Sequence, residues 1–271
     1  MRDAWGADPK DDALSPPKLL LDADLIIYRQ CAAVERDISW GSVTGDETDE
    51  DTHTLVADAG EAFSGVARAV NRLKARFETE DVLLCISAGV NFRYSIDPTY
   101  KANRKGTRKP LAYNEVLKRT KDIWPSFEFP GLEADDILGI FGSREPDAAI
   151  ICSADKDMKT IPCTLWDGSK LQKIDRATAD WWFCYQTLVG DTADGYPGVP
   201  GVGPKKAQAI LGPVGKMPIA VLWDKVQDAY AKFGLDEADA VKQARLARIL
   251  RHEDWDAEKK EPILWTPPTG T

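Results

Sequence analysis

The chain has 271 residues, of which 43% are apolar and 29% are charged, so it is long enough for one large α/β domain with a smaller region attached, or for two domains. No run approaches the roughly 18 continuous apolar residues that a membrane span needs, and residues 1–17 are polar and acidic, unlike a signal peptide. We therefore expect a soluble, cytoplasmic protein without membrane contact, in which residues 1–17 form a flexible leader.

The five cysteines are odd in number, widely spaced and mostly embedded in apolar runs, at Cys31, Cys85, Cys152, Cys163 and Cys184. The chain lacks the paired cysteine spacing of zinc sites and has only two histidines. The cysteines are therefore predicted to be buried free thiols in a reducing compartment.

Three short apolar runs predict buried parallel strands, at residues 18–22, 81–86 and 148–152. The first of these strands ends in Asp22. Because the ligand crevice of an open α/β sheet lies outside the carboxyl ends of its strands, an acid at such a position is a candidate ligand. A helix N-cap is the alternative in this region, and Asp24 fits a capping role at least as well as a metal role.

Helical periodicity predicts helices at residues 25–34, 59–77, 111–123, 133–141 and 178–189, and two further amphipathic helices between residues 218 and 252. The last of them is predicted to carry Lys242, Arg245, Arg248 and Arg251 at helical spacing. Alternating residues predict one hairpin from residues 36–40 and 52–56 around the acidic run 46–51, and another at residues 165–174. The aromatic side chains of helix 178–189 are interpreted as core, with base stacking as the alternative. These aromatic residues are Trp181, Trp182, Phe183 and Tyr185.

Seven carboxylates stand within about sixty residues in three tight clusters, each beside an apolar run. They are Glu133, Asp135 and Asp136, then Asp155 and Asp157, then Asp191 and Asp194. Helix capping would explain one acid of the first cluster but hardly all three. A protein rarely brings so much negative charge together unless a cation neutralises it, so the clusters predict a site for divalent metal ions.

The net charge of −9 argues against nucleic-acid binding only if the charge is evenly spread. Residues 100–121 contain eight Lys or Arg against the single acid Glu115, so the rest of the chain carries sixteen net negative charges. Residues 91–122, called the basic segment below, leave the carboxyl end of the second strand and are predicted to stand over the acidic site, where they would gate or thread a nucleic-acid strand. A basic stripe beside an acidic metal site suits a metallonuclease, and a solvated basic helix face is the alternative.

Residues 195–211 are rich in glycine and proline and rise into the start of a helix. Backbone N–H groups and the positive helix end are expected to face outward there, beside Lys205 and Lys206. This arrangement predicts a clamp on the phosphate backbone without base readout, and a plain loop is the alternative.

Six short motifs occur in order over residues 18–212 and together resemble the 5′-nuclease (flap endonuclease) family, most closely its stand-alone bacteriophage 5′→3′ exonucleases. The motifs are Leu-Leu-Leu-Asp22-Ala-Asp24, Asn91-Phe-Arg93, Tyr100-Lys-Ala-Asn-Arg104, Gly131-Leu-Glu-Ala-Asp-Asp136, Ser153-Ala-Asp-Lys-Asp157, and Gly190-Asp-Thr-Ala-Asp194 leading into Gly198-Val-Pro-Gly-Val-Gly203. The resemblance implies an α/β fold with a central, mostly parallel sheet flanked by helices, similar to PIN and resolvase domains. It further implies a nuclease domain over residues 18–189, a helix-hairpin-helix region over 190–255 and a Pro-rich tail over 256–271.

The resemblance also implies a two-metal phosphodiesterase that uses Mg²⁺ or Mn²⁺. Carried over by position, Asp22, Glu133 and Asp135 would hold the first ion with support from Asp136. Four residues would surround the second ion, namely Asp155, Asp157, Asp191 and Asp194, and Asp155 would lie between the two ions. The catalytic residues implied are Asp22, Asp155, Lys101 and Arg104, of which the two basic residues would reach the scissile phosphate. A K⁺ ion at the helix-hairpin-helix is a further implication.

The implied partner is DNA with a free 5′ end, in a duplex, nick, gap or flap, or an RNA–DNA hybrid, bound by a monomer in the host cytoplasm during phage replication or recombination. The DNA-binding residues implied are Arg93, Tyr100, Lys101, Arg104, Lys105, Arg108, Lys109, Gly201, Gly203, Lys205 and Lys206. Tyr100 is expected to stack on a terminal base.

One position departs from the family pattern, because Ala88 stands where the family usually has an aspartate at the end of the second strand. An engineered replacement and a naturally weakened first metal site are both open, and either predicts slow cleavage with DNA binding retained. A non-catalytic DNA-structure-binding protein on the same fold is therefore an alternative function. A PIN-type ribonuclease is a third, although such enzymes generally lack the helix-hairpin-helix and the basic segment.

Overall fold

The computed structural model describes residues 17–40, 53–104 and 106–268. The predictions for the leader up to residue 16, for the acidic run 46–51 and for Lys105 lie outside these residues. Within the described part, no helix is long and apolar enough to span a membrane.

The strands are β1 (Lys18–Asp22), β2 (Arg36–Ser39), β3 (His53–Val56), β4 (Val82–Ile86), β5 (Ser126–Glu128), β6 (Ala149–Cys152), β7 (Cys163–Trp166), β8 (Leu171–Ile174), β9 (Trp255–Asp256) and β10 (Glu261–Pro262). The α-helices are α1 (Ala23–Ala33), α2 (Ala59–Phe77), α3 (Arg93–Ile96), α4 (Tyr113–Ile123), α5 (Ala134–Arg144), α6 (Arg176–Val189), α7 (Pro204–Leu211), α8 (Ile219–Ala231) and α9 (Glu237–Ala247). Short 3₁₀ helices lie at Ala102–Arg104, Lys156–Thr160 and His252–Asp254.

A six-stranded sheet in the order β5-β4-β1-β6-β7-β8 forms the centre of the molecule. All neighbouring pairs are parallel except β7 and β8, which are antiparallel. The register sets Asp22 beside Cys85 and Leu21 beside Cys152, so the carboxyl ends of β1, β4 and β6 meet at one edge. The predicted mostly parallel α/β sheet is confirmed.

Both faces of the sheet are covered, as the continuous apolar runs of its strands require. Alternation along β1 sends Leu19 and Leu21 into the core under α1, α2 and α4, and Leu20 into the core under α5. Helices α6 to α9 enclose a third core around Trp181, Phe183 and Trp223, and Trp265 of the Pro-rich tail packs on it. The interpretation of the aromatics of α6 as core is correct for Trp181 and Phe183, which are fully buried.

Several elements differ from the sequence prediction. The small hairpin formed by β2 and β3 was predicted, whereas β5, with only three residues after Pro125, was not. The second predicted hairpin is also present, but its strands β7 and β8 extend the central sheet. All five cysteines are buried free thiols, as predicted.

The last predicted helix is too long, because α9 ends at Ala247 and does not reach residue 252. Arg248 and Arg251 continue the helical spacing in sequence but are buried outside the helix. The Arg251 guanidinium donates to Asp180 Oδ1 at 2.6 Å and to the Thr160 carbonyl oxygen at 2.8 Å. These buried partners hold the chain in an extended course after α9, which periodicity alone could not indicate.

Candidate active site

The first acid of the site, Asp22, is the last residue of β1 and the N-cap of α1. Its Oδ1 accepts a hydrogen bond from Leu25 N at 3.0 Å, and its Oδ2 accepts one from Ser153 Oγ at 2.7 Å. Burial raises the pKa of Asp22 to about 6 against the lowering effect of these hydrogen bonds. The helix cap is therefore Asp22 and not Asp24, which lies in the first turn of α1, and the capping residue is also the candidate metal ligand.

Two more acids of the site lie at the start of α5, where Glu133 is the N-cap and Asp135 is in the first turn. Burial raises the pKa of Asp135 well above its ordinary value, and the charges of Asp22, Asp155 and Glu133 raise it further. Asp135 and Asp155 also line one cavity, together with Lys101 and Arg104 of the basic segment. The sheet edge and the α5 N-terminus thus bring together residues that are more than a hundred positions apart in sequence.

A second group of acids comes from the segment after β6 and from the loop after α6. Lys156 bridges it, because its Nζ lies 3.0 Å from Asp157 Oδ1 and 3.0 Å from Asp191 Oδ2. Burial raises the pKa of Asp157, and the charge of Asp155 raises it further. Asp155 therefore acts on both Asp135 and Asp157, which is the relation expected of a residue between the two groups.

Within the described residues, no three acidic, histidine or cysteine side chains converge as a ready-made group of metal ligands. Basic side chains lie among the acids instead. The donor chemistry nevertheless fits Mg²⁺ or Mn²⁺, because every candidate ligand is a carboxylate. Burial, together with the charges of neighbouring carboxylates, raises the pKa values of Asp22, Asp135 and Asp157.

Lys101 and Arg104 of the basic segment reach directly onto the acids. Lys101 Nζ lies 2.5 Å from Glu133 Oε1 and 3.7 Å from Asp194 Oδ1, so it joins the two acidic groups. Burial alone would lower the pKa of Lys101, but the charges of Glu133 and Asp194 outweigh it and raise the pKa. Arg104 Nη2 lies 2.5 Å from Asp194 Oδ1 and remains half exposed. Both cations are therefore placed where a phosphate oxygen next to the acids would be within their reach.

Burial removes two predicted DNA contacts, Arg93 and Tyr100, from the surface, and it places Asp136 in the supporting role expected of it. Arg93 is only 2% exposed, and its guanidinium donates to both oxygens of Asp136 at 2.8 Å, so it is not available to DNA. Asp136 is fully buried in the same ion pair and also accepts from Leu250 N, so it supports the site without facing it. Tyr100 is 3% exposed, and its hydroxyl donates to Glu133 or Asp194, so it cannot stack on a base in this conformation.

The part of the basic segment that precedes α4 contacts Glu35, which follows α1, and Tyr113 at the start of α4. Arg108 pairs with Glu35 through both of its Nη atoms, and Lys109 Nζ lies 4.2 Å from the centre of the Tyr113 ring. The Tyr113 hydroxyl in turn donates to Asp24 Oδ1 at 3.1 Å. Arg108 and Lys109 stay exposed, so their predicted contact with DNA remains a prediction.

The predicted hairpin between α6 and α7 has alternating buried and exposed residues. Val199 and Val202 are buried in the helical core, whereas Gly201 and Gly203 are exposed. Lys205 and Lys206 are exposed in the first turn of α7, and Lys206 Nζ donates to the Gly201 carbonyl oxygen at 2.8 Å. The outward face of this turn therefore consists of backbone and two ammonium groups, as a phosphate clamp requires.

Ala88 lies in the turn that follows β4, beside the α5 N-terminus. Its N–H donates to the Leu132 carbonyl oxygen at 3.0 Å. The neighbouring Ser87 accepts from Ala134 N through Oγ and donates its own N–H to Asp24. A side chain at position 88 thus starts next to the segment that carries Glu133 and Asp135.

Three residues of the site were missed in the sequence. Lys156 could have been noticed, because it stands between Asp155 and Asp157 in the chain. Ser153 opens the same motif, but its role rests on its bond to the distant Asp22. Gln186, a buried amide beside Asp157, gave no signal in the sequence.

The chain is similar to known nucleases in sequence and fold. Residues 17–179 match the family model of the 5′-3′ exonuclease N-terminal resolvase-like domain. The exodeoxyribonuclease of Enterobacteria phage T3 is 33% identical over 290 aligned residues, which cover 92% of each chain, and the exonuclease of Escherichia phage T7 is 32% identical over 92% of this chain and 93% of its own. The structure of T5 5′-exonuclease with bound divalent zinc ions has the same fold, with a TM-score of 0.54 at 16% identity over 85% of this chain and 88% of that chain. Because the family model covers more than half of the chain and the T3 and T7 proteins align with nearly all of it, the chain belongs to the 5′-3′ exonuclease family of nucleases.

Proposed function

We propose that the chain is a divalent-metal-dependent 5′→3′ exonuclease and flap endonuclease, which hydrolyses phosphodiester bonds at the 5′ ends of duplex, nicked, gapped or flapped DNA. One observation carries this proposal. Carboxylates from β1, α5, the segment after β6 and the loop after α6 meet at one sheet edge, and Lys101 and Arg104 lie directly on them. Acids that suit cations and bases that suit phosphate are the two parts that metal-assisted phosphodiester hydrolysis needs.

Seven carboxylates would hold the two ions: Asp22, Glu133, Asp135 and Asp155 for the first, and Asp155, Asp157, Asp191 and Asp194 for the second. When bound there, Mg²⁺ or Mn²⁺ would lower the pKa of a water molecule and stabilise the leaving oxygen. Lys101 and Arg104 would move from their carboxylate partners to the scissile phosphate and offset the charge that develops on it. The zinc ions in the T5 5′-exonuclease support a divalent-metal site in this fold.

The hairpin between α6 and α7 would hold the duplex through its phosphates. The groups that would bind the phosphates are the N–H groups of its exposed glycines and the side chains of Lys205 and Lys206. Because phosphate contacts carry no sequence information, the hairpin would bind DNA of any sequence. Carbonyl oxygens of the same hairpin would coordinate a K⁺ ion. We further propose that the protein acts as a monomer in the host cytoplasm during phage replication or recombination, and that RNA–DNA hybrids are substrates too.

Ala88 favours one alternative function, a DNA-structure-binding protein that cleaves slowly or not at all. The position stands beside the α5 acids, where an additional carboxylate would strengthen the first ion site. We therefore propose that cleavage by this chain is limited by Ala88 while DNA binding is retained.

The test compares the wild-type chain with Ala88→Asp and with Ala88→Asn, which has the same size without the charge. Each protein is incubated with a duplex labelled at either end, with Mg²⁺, with Mn²⁺ or with EDTA. Ala88→Asp is expected to release 5′ nucleotides about 10- to 100-fold faster than Ala88→Asn, the effect of restoring one supporting ligand of a metal site. Equal rates for the two variants would refute the limiting role of Ala88. Binding without any metal-dependent digestion by all three proteins would favour the DNA-binding alternative.

A further inference from the structure

The carboxylate of Glu35 accepts three hydrogen bonds from the part of the basic segment that precedes α4. Glu35 lies just after α1, and its Oε1 accepts from Arg108 Nη1 at 2.7 Å and from Leu111 N at 2.6 Å. Its Oε2 accepts from Arg108 Nη2 at 3.0 Å. One side chain thus fixes both the guanidinium of Arg108 and the backbone that leads into α4.

The two partners differ in exposure. The Glu35 side chain is 16% exposed, whereas the Arg108 side chain is 52% exposed. Hydrogen bonds from Arg108 and Leu111 lower the pKa of Glu35 to about 2, so the carboxylate stays ionised throughout the neutral pH range. Arg108 is therefore held by a firmly anchored anion on the protein side and open to solvent on the other.

The hydrogen bonds of Arg108 leave one edge of its guanidinium unused. A guanidinium has five donors and can present two edges, one formed by both Nη atoms and the other by Nε and Nη2. Glu35 takes the first edge, and Nη1 also donates to the Lys109 carbonyl oxygen at 2.9 Å. Arg108 Nε has no hydrogen bond to another residue in the described part of the chain. The free edge can still form the paired bonds that arginine makes with a phosphate.

We propose that Glu35 is a positioning residue for DNA binding, which orients Arg108 so that the free edge of its guanidinium contacts a backbone phosphate. This inference rests on the proposed function, since it requires that the basic segment contacts DNA. It opposes the simplest electrostatic expectation. On electrostatics alone, removal of a negative charge should strengthen binding to a polyanion such as DNA. The proposal predicts the opposite for Glu35, because Arg108 loses its fixed orientation when the Glu35 charge is removed.

The experiment measures binding of a fluorescent duplex with a 5′ overhang in EDTA, by anisotropy, over a series of salt concentrations. The variants are Glu35→Gln, Arg108→Ala and the double variant. The glutamine side chain keeps an oxygen that can accept a hydrogen bond from Leu111 N, but it loses the ion pair with Arg108. Glu35→Gln is expected to bind about two- to fivefold more weakly, the range for one partly exposed charge pair. Arg108→Ala is expected to reduce the slope of log affinity against log salt by about 0.9, the effect of one phosphate contact.

The matched control is Glu115→Gln. It removes the same charge and frees another arginine of the basic segment, Arg119, which pairs with Glu115 on the exposed face of α4. This control should bind DNA as tightly as the wild type or slightly more tightly. The double variant should bind no more weakly than Arg108→Ala, because Glu35 acts through Arg108.

Three results would overturn the inference alone. Tighter binding by Glu35→Gln would mean that Glu35 withholds Arg108 from DNA. An undiminished effect of Glu35→Gln in the Arg108→Ala background would mean that Glu35 acts elsewhere. Equal binding by wild type and Glu35→Gln would mean that the contact does not matter, with the proposed function intact. A wild-type chain that binds no DNA would instead refute the proposed function and this inference with it. Thermal unfolding of each sample separates these results from a loss of folded protein.

Discussion

Replacement of Asp22 by asparagine should stabilise the metal-free protein. The pKa of Asp22 is about 6, against about 3.9 for an aspartate in an unfolded chain. Each unit of difference corresponds to about 1.4 kcal/mol, so ionised Asp22 costs the native state about 3 kcal/mol at neutral pH. Asparagine keeps both contacts, because its Oδ1 can accept from Leu25 N and its Nδ2 can donate to Ser153 Oγ. We expect Asp22→Asn to raise the free energy of unfolding by about 1 to 3 kcal/mol at pH 7.5.

The gain should disappear in acid. Because the folded pKa of Asp22 lies above its unfolded value, the native protein binds the proton more tightly. The wild-type free energy of unfolding therefore increases as the pH falls from about 6 to about 4, where native Asp22 is neutral, like the asparagine that replaces it in the variant. Urea denaturation in EDTA at pH 7.5 and pH 4 measures both differences. Addition of Mn²⁺ at pH 7.5 should stabilise the wild type and have much less effect on Asp22→Asn.

Asp58 provides a matched control, since it is also a helix N-cap, at α2. Its pKa is lowered by hydrogen bonds from Glu61 N and Gly60 N, so Asp58→Asn should leave stability unchanged or reduce it at pH 7.5. The reasoning is refuted if Asp22→Asn is not more stable than the wild type in EDTA at pH 7.5. A gain of the same size at pH 4 would also contradict it, because the charge would then not be its cause.

Two further predictions concern residues that support the site. Arg93→Met leaves Asp136 buried without its partner and should lower the free energy of unfolding, measured by urea denaturation, by about 3 to 5 kcal/mol. The control Arg119→Met breaks an exposed ion pair on a helix and should lower it by less than about 0.5 kcal/mol. Similar losses for the two variants would mean that the buried pair does not stabilise the fold. Gly198→Ala should cost more than about 2 kcal/mol, because φ is +63° there and a Cβ would overlap the backbone at the end of α6. Gly201→Ala, at φ +68° with open space around it, should cost only about 1 kcal/mol, and equal costs in thermal melts would show that crowding does not matter.

The fold could be predicted wherever its signal was local. The apolar runs that became β1, β4 and β6 carry the length and composition of buried parallel strands, and the acid at the end of β1 follows from sheet geometry. The strand β5 has only three residues of mixed polarity, so its place in the sheet is set by pairing with β4 and not by its own sequence. Tertiary context decides such short edge strands.

The roles of individual charged residues depended on partners that are distant in sequence. Arg93 stands in a basic segment and reads as a DNA contact, but its partner Asp136 is 43 residues away and the carbonyl that accepts from its Nε, at Leu246, is 153 residues away. Similarly, Glu35 meets Arg108 across 73 residues. Spacing along a helix or strand carries no information about such pairs, so the sequence could predict the charges but not which of them face solvent.

Ion pairs with acids also limit how many basic side chains of the basic segment are available to phosphate. The segment's excess of positive residues is large in sequence, yet acids contact several of them in the fold, and all of these acids except Glu115 come from other parts of the chain. The pairs are Lys101 with Glu133, Arg104 with Asp194, Arg108 with Glu35, Arg119 with Glu115 and Lys121 with Glu128. At a paired residue, a phosphate must therefore either displace the carboxylate, as at Lys101, or use an edge that the carboxylate leaves free, as at Arg108. Because displacement exchanges one ion pair for another whereas a free edge adds a contact, the number of free edges should govern DNA affinity more than the number of basic residues.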